Sequence, residues 1–166
     1  MGAPSIAPAK SYSDLPQGTG DIQLTLVQTI PLTGAVIVST PQDVALADAR
    51  KGLVMFNKVN VPVLGIVENM SYFICSHCGQ RENIFDTGGA KRTADELSVP
   101  FLGEIPINTS IRIGGDKGDP IVHSEPEAPH AQVIRQIARN LAAQVSIRNV
   151  SGPQQPKIEI LIGQQN

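Results

Sequence analysis

The chain carries two cysteines, and they stand three positions apart as Cys75-Ser76-His77-Cys78. Two thiolates at this spacing can grip one metal from a single turn of chain. A tetrahedral zinc site or a cubane iron–sulfur cluster needs four ligands, and no second CxxC occurs. A closed site therefore calls for two chains facing each other across a two-fold axis. The same residues also read as a reduced surface pair or an incidental disulfide. The ligand set by itself does not choose between zinc and iron. His77 could add a third donor, although a histidine between two ligands more often faces solvent. The other segment with unusual chemistry is Asp14-Leu15-Pro16-Gln17-Gly18-Thr19-Gly20-Asp21, where Pro16, Gly18 and Gly20 demand a loop with special backbone angles.

These loops need a frame. Residues 34–39 (GAVIVS) form a continuous apolar run rich in β-branched side chains, as expected of a strand buried on both faces. Thr40 and Pro41 read as a cap and first turn for a helix reaching Lys58. Val44, Leu46, Ala47, Leu53, Val54 and Phe56 would form its apolar side. Residues 61–67 (VPVLGIV) make a second buried strand, so 34–67 reads as a parallel strand–helix–strand crossover. Beyond the cysteines, 88–97 reads as a helix with Ala90, Ala94 and Leu97 inward, and 100–105 (PFLGEI) as a strand. Residues 106–124 read as a Gly- and Pro-rich loop with a turn near Ile111. Residues 126–145 read as a helix striped by Val133, Ile134, Ile137, Leu141 and Val145. Residues 22–32 do not settle between periods and read as a short helix, with a strand as the alternative.

The alternation implies an α/β fold, a partial parallel sheet with helices on both faces. Ligands in such sheets sit beyond the carboxyl ends of the strands. The loops there begin at Ser39, Glu68 and Pro106. Three segments are expected along the chain: a disordered leader over 1–13, the α/β unit over 14–145, and a linker and tail over 146–166. The tail's IEILI run reads as a late strand or an adhesive end.

Composition narrows the function classes. At 166 residues the chain can bury a substantial core, and 41% hydrophobic with 17% charged residues excludes a wholly disordered polymer. A net charge of -2, no Trp and 4% aromatics leave neither a basic footprint nor a stacking platform for nucleic acid. No apolar run approaches the ~18 residues of a membrane span. A cytoplasmic setting, or the mitochondrial matrix in a eukaryote, fits the sparse thiols and the lack of a secretory signal.

Four motifs in order, DLPQGTGDIQLTL, AVIVSTPQDVALADARKG, VPVLGIVENMSYFICSHCG and FLGEIPI, resemble the Mrp/ApbC family of P-loop ATPases that carry iron–sulfur clusters. The resemblance runs from Asp14 to about Ala143. It implies a P-loop NTPase-like sheet and ATP-dependent cluster carriage. Cys75 and Cys78 would ligate a [4Fe–4S] cluster bridging a homodimer, with zinc as the alternative metal. Apo iron–sulfur proteins would be the clients. Asp14 would be the acidic residue near magnesium and the attacking water, and Gly18 would let a backbone amide approach phosphate. Asn69 would meet the adenine edge, with Pro106 and Ile107 as its wall. The same segments read more plainly as a capped Gly turn and a strand-ending Asn.

The sequence also departs from that family. No GKGG or GxxxxGK[ST] occurs, so the phosphate cradle is absent and ATP hydrolysis by this chain alone is not expected. The chain resembles the C-terminal half of the fold, lacking the Walker A half, and Gln17 replaces the family's second proline. A half sheet would leave the AVIVS strand with an open apolar edge, open to oligomerisation or to a separate P-loop chain. The rival reading is a zinc- or thiol-based dimerising module without cluster transfer.

Overall fold

The computed structural model describes residues 13–15, 25, 27, 29, 32–75 and 77–151. Most of the leader, Gly18 and the IEILI tail lie outside them. Within the expected helix over 22–32, Thr25, Val27 and Thr29 are helical and Leu32 is not.

The crossover forms as expected, except that its first strand is covered on one face rather than both, with Val38 61% exposed. Strand β1 (Ala35–Ser39) leads to helix α1 (Asp43–Lys58) and strand β2 (Val63–Glu68). A short hairpin follows, β3 (Phe73–Ile74) with β4 (Arg81–Glu82), and then helix α2 (Gly89–Glu96) and strand β5 (Phe101–Glu104). The chain closes with helices α3 (Thr109–Lys117), α4 (Ile121–Ser124) and α5 (Pro129–Ser151). The sheet is parallel in the order β1-β2-β5. Its register pairs Ser39 with Glu68 and Glu68 with Glu104, so three strands end in one row.

The β-branched run of β2 is buried at consecutive positions from Leu64 to Glu68. A strand can bury successive residues only when both of its faces are covered. Helix α1 packs on β1 and β2, α2 on β2 and β5, and α5 on β5 and β2. The main core joins Ile37 and Ile66 of the sheet to Leu46, Ala49 and Leu53 of α1 and to Ala90 and Ala94 of α2. The inward positions of α2 are those expected. The inward face of α1 is turned from the expected one: Ala49 is buried, whereas Val44 and Val54 are 80% and 52% exposed. Leu46, Ala49, Leu53 and Phe56 keep the 3.6 period, and the two valines fall off it.

Two local readings are corrected. Helix α1 starts at Asp43 behind Gln42, and the Thr40 hydroxyl donates to Gln42 Oε1 at 2.7 Å rather than capping the helix. Pro41 thus precedes the helix, and the acidic Asp43 complements the positive end of its dipole. Residues 106–124 are largely helical rather than loop. Asn108 Oδ1 accepts the Ser110 amide at 2.7 Å and starts α3, and Gly118 ends it in the left-handed region.

Glu68 closes β2 with a carboxylate that has no solvent exposure. It accepts the amides of Gly88 at 3.0 Å and Ala90 at 2.7 Å, and the Ser71 hydroxyl at 2.5 Å. It therefore caps α2 from a distant strand, doing what a local Ser or Asp usually does. Gly88 stands at that cap with φ +73, a conformation that glycine adopts without strain. Glu68→Ala strands these buried donors, so a urea unfolding series should show a loss of roughly 2–4 kcal/mol. Glu68→Gln keeps the shape and one acceptor oxygen but sets an NH2 donor against the other oxygen's partners, and should lose about half as much.

Candidate functional site

The carboxyl ends of the strands carry the site residues beyond Glu68 and Glu104. The Asn69 amide donates to Ser39 O at 2.7 Å, which holds it at the row's end. Its side-chain Oδ1 accepts the Met70 amide at 3.0 Å. Met70 has φ 55, so the chain turns sharply there. Residues 71–73 then run beside 105–107. Ile105 N donates to Glu68 O at 2.7 Å, Ser71 N to Ile105 O at 3.0 Å, and Ile107 N to Tyr72 O at 2.7 Å. Phe73 and Ile107 complete a parallel bridge. The β2–β5 pairing thus continues past the sheet proper and brings Asn69, Pro106 and Ile107 into one neighbourhood. Pro106 is buried, and Asn69 and Ile107 are half-buried.

The same extension presents the cysteines. β3 and β4 pair antiparallel, Phe73 with Glu82 and Ile74 with Arg81, and the thiols lie in the connecting turn. Cys75 N donates to Gln80 O at 2.9 Å, and Gly79 N to Cys75 O at 2.8 Å. Gly79 closes the turn at φ +72. Both thiols are free; Cys75 is partly exposed and Cys78 exposed. The backbone amides of Cys78 and His77, and then the Cys78 side chain, hold the Cys75 thiol below its ordinary pKa. Amides directed at a sulfur favour its thiolate, which is the form that binds metal. His77 is exposed. Among the described residues no set of three or more His, Cys, Asp or Glu could hold a metal, so one chain offers two sulfurs from this turn. That donor set fits half of a four-thiolate site and no complete one.

Asp14 is not drawn to this end by its described contacts. It is exposed, and its neighbour Leu15 packs on the cluster of Val27, Met55, Phe56 and Val61. That cluster takes in Ala35 and Val63, the first residues of β1 and β2, at the opposite end of the sheet.

Sequence reasoning missed a polar group behind the turn. Ser71 Oγ lies 2.5 Å from Glu68 Oε1 and 2.7 Å from Glu104 Oε2. Arg81 reaches Glu104 at 3.1 Å and lies 3.9 Å over the Tyr72 ring. Burial and the Glu104 charge raise the Tyr72 phenol above its usual pKa, against the pull of Arg81. A carboxylate ending each of two apolar strands was the available signal.

The chain matches the family profile described as ParA, NUBPL iron-transfer P-loop NTPase, over residues 12–142. It is 58% identical over 132 residues to the iron-sulfur cluster carrier protein of Escherichia coli K12, covering 80% of this chain and 36% of that one. It is 53% identical to the iron-sulfur cluster transfer protein NUBPL of Dictyostelium discoideum, covering 82% and 42%. It is 52% identical to the mitochondrial iron-sulfur protein required for NADH dehydrogenase of Arabidopsis thaliana, covering 77% and 41%. The chain therefore spans well under half the length of these relatives. Among solved structures, the nucleotide-binding protein of Archaeoglobus fulgidus in complex with ADP superposes with a TM-score of 0.59 at 42% identity, covering 69% of this chain and 46% of that one. The cell division ATPase MinD of Pyrococcus furiosus gives 0.54 at 25% identity, covering 67% and 43%.

Gly79→Ala places a Cβ on a left-handed residue, at a cost of about 1–2 kcal/mol. The cost falls on the turn, so amide hydrogen exchange at Cys75 and Gly79 should speed up while the sheet amides keep their protection. Gly79→Asn should be milder, since Asn tolerates this conformation better.

Proposed function

The chain belongs to the NUBPL-type iron-transfer P-loop NTPase family, and we propose that it carries iron–sulfur clusters on Cys75 and Cys78. The observation that carries this reading is the thiol turn itself. Two free cysteines sit on an accessible hairpin tip, with two amides directed at one sulfur. A carrier must release what it holds, and thiols at the surface can be exchanged for the thiolates of an apo iron–sulfur protein. A buried four-cysteine cage within one chain would not allow that.

Two sulfurs per chain are half of a cluster's needs, so the cargo is a [4Fe–4S] cluster shared by a homodimer. The surface around the turn supports a second copy as the partner. Met70, Ile74, Ile84 and Phe85 are large apolar residues, and all are exposed on the hairpin or its flanks. Apolar side chains grouped around exposed thiols suit an interface better than open water.

The nucleotide part of the family function is reduced in this chain. Asn69, Pro106 and Ile107 are grouped as a base-edge contact would require. Nothing in the sequence cradles the β and γ phosphates, and most nucleotide affinity comes from phosphates. ATP turnover therefore needs a P-loop from elsewhere, and the roles of Asp14 and Gly18 depend on it. Among the described residues the outer edge of β1 has no neighbouring strand, and it is the place at which such a part would extend the sheet. The reducing compartment is the cytoplasm or mitochondrial matrix. No helix among the described residues is long and apolar enough to cross a membrane.

Anaerobic reconstitution with iron and sulfide should turn the protein brown, with about four irons per pair of chains. Cys75→Ser should abolish both the colour and the iron. A colourless wild type that retains zinc would replace the carrier reading with the zinc-bound dimerising module. With ATP and magnesium the isolated chain should release no phosphate above background; sustained turnover would overturn the assignment of hydrolysis to a missing P-loop.

A further inference from the structure

The hairpin that presents the thiols is too short to hold itself. Each of its strands has two residues. Two-stranded hairpins are at best marginal in water, even at greater length. Its first arm is tied to the sheet by backbone, through Ile107 N to Tyr72 O and the Phe73–Ile107 bridge. Its second arm, which leaves Cys78, meets the sheet through the Arg81 side chain.

Arg81 is three residues beyond Cys78 and pairs across the hairpin with Ile74, the neighbour of Cys75. One face of its guanidinium lies 3.9 Å from the Tyr72 ring centroid. One nitrogen donates to Glu104 Oε2 at 3.1 Å. Glu104 ends β5, and its Oε2 is 2.7 Å from Ser71 Oγ. Ser71 Oγ in turn meets Glu68, which the α2 amides hold in place. A polar chain thus runs from a buried helix cap to the arm carrying Cys78.

We propose that Arg81 is the positioning residue of the thiol pair, clamping the Cys78 arm onto the sheet end through Tyr72 and Glu104 so that both sulfurs are held at the spacing a metal requires. This rests on the reading of Cys75 and Cys78 as metal ligands. The geometry needs arginine specifically. A planar guanidinium can stack on a ring and donate from its edge at once, while a lysine ammonium provides one compact charge. Ordering two ligands before the metal arrives removes a cost from binding.

The test is an anaerobic titration of the full chain with Co(II), read by the thiolate-to-cobalt charge-transfer absorption. Wild type is compared with Arg81→Ala, Arg81→Lys, Glu104→Gln and the double variant Arg81→Ala/Glu104→Gln. Arg81→Ala should bind about five- to tenfold more weakly, the joint scale of a ring–cation contact and a half-exposed ion pair, and Glu104→Gln, which keeps the ring contact, about two- to fivefold. Arg81→Lys should fall between Arg81→Ala and wild type. The double variant should lose little more than Arg81→Ala, since the two residues act as one clamp. Urea midpoints measured in parallel should stay near wild type, separating positioning from general stability. Should Arg81→Ala fail to fold, the isosteric Glu104→Gln carries the same comparison. Wild-type affinity in Arg81→Ala and Glu104→Gln overturns the proposal, as do fully additive losses in the double variant. Absence of the charge-transfer band in wild type is a different result: it removes the thiol-pair reading, and the clamp falls with it.

Discussion

Burying an ionisable carboxylate requires that its charge be met by donors, because the alternative costs several kcal/mol. Glu68 is the end of the central strand and has no solvent exposure. Its donors come from two directions: amides at the start of α2, and the hydroxyl of Ser71 three residues on. Meeting that one charge fixes three things together. It sets where α2 begins, where β2 stops, and the direction in which the chain leaves toward the cysteines. A conventional local cap would fix only the first.

The direction matters because the chain leaving β2 does not become a free loop. It stays paired with the chain leaving β5, through three backbone bonds and a bridge at Ile107. The segment proposed to meet a base edge and the hairpin proposed to hold metal are therefore successive parts of one ladder. Residues 69–73 and 105–107 serve both. A displacement of Pro106 or Asn69 has a short, bonded route to the thiol turn, and the Arg81–Glu104 pair lies along it.

The parts of the fold that were legible in the sequence share one property: burial and residue type agree. The run over 61–67 is apolar and β-branched where β2 is covered on both faces, whereas the similar run over 34–39 forms a strand whose Val38 is 61% exposed. Ala90 and Ala94 are small where α2 lies close on the sheet. The parts that were not legible reverse that agreement. Glu68 is charged and buried, so only its position after an apolar run pointed inward. In residues 106–124 the glycines suggested a loop, yet Gly114 lies inside α3. A Cβ there would come within 2.6 Å of Asp119 O, so the residue is small for close packing rather than for turning. The turn expected near Ile111 lies within α3, which the Asn108 side chain starts. The CxxC was legible as chemistry, but not as a hairpin, since its strands are two residues each and carry no period.

The ties of the thiol turn bear on what this chain can do without a phosphate loop. Among the described residues they run to β2, β5 and α2: backbone pairing to 105–107, Arg81 to Glu104, Ser71 to Glu68, and Glu68 to the α2 amides. The outer edge of β1, unpaired among the described residues, contributes to none of these. Parallel strands pair only with their neighbours, and β2 already separates β1 from β5. A strand pairing with that edge would leave in place the bonds that aim Cys75 and Cys78. The bonds that aim the thiols therefore all lie on the β5 side of the central strand, and they begin at the strand-end residues 68–71.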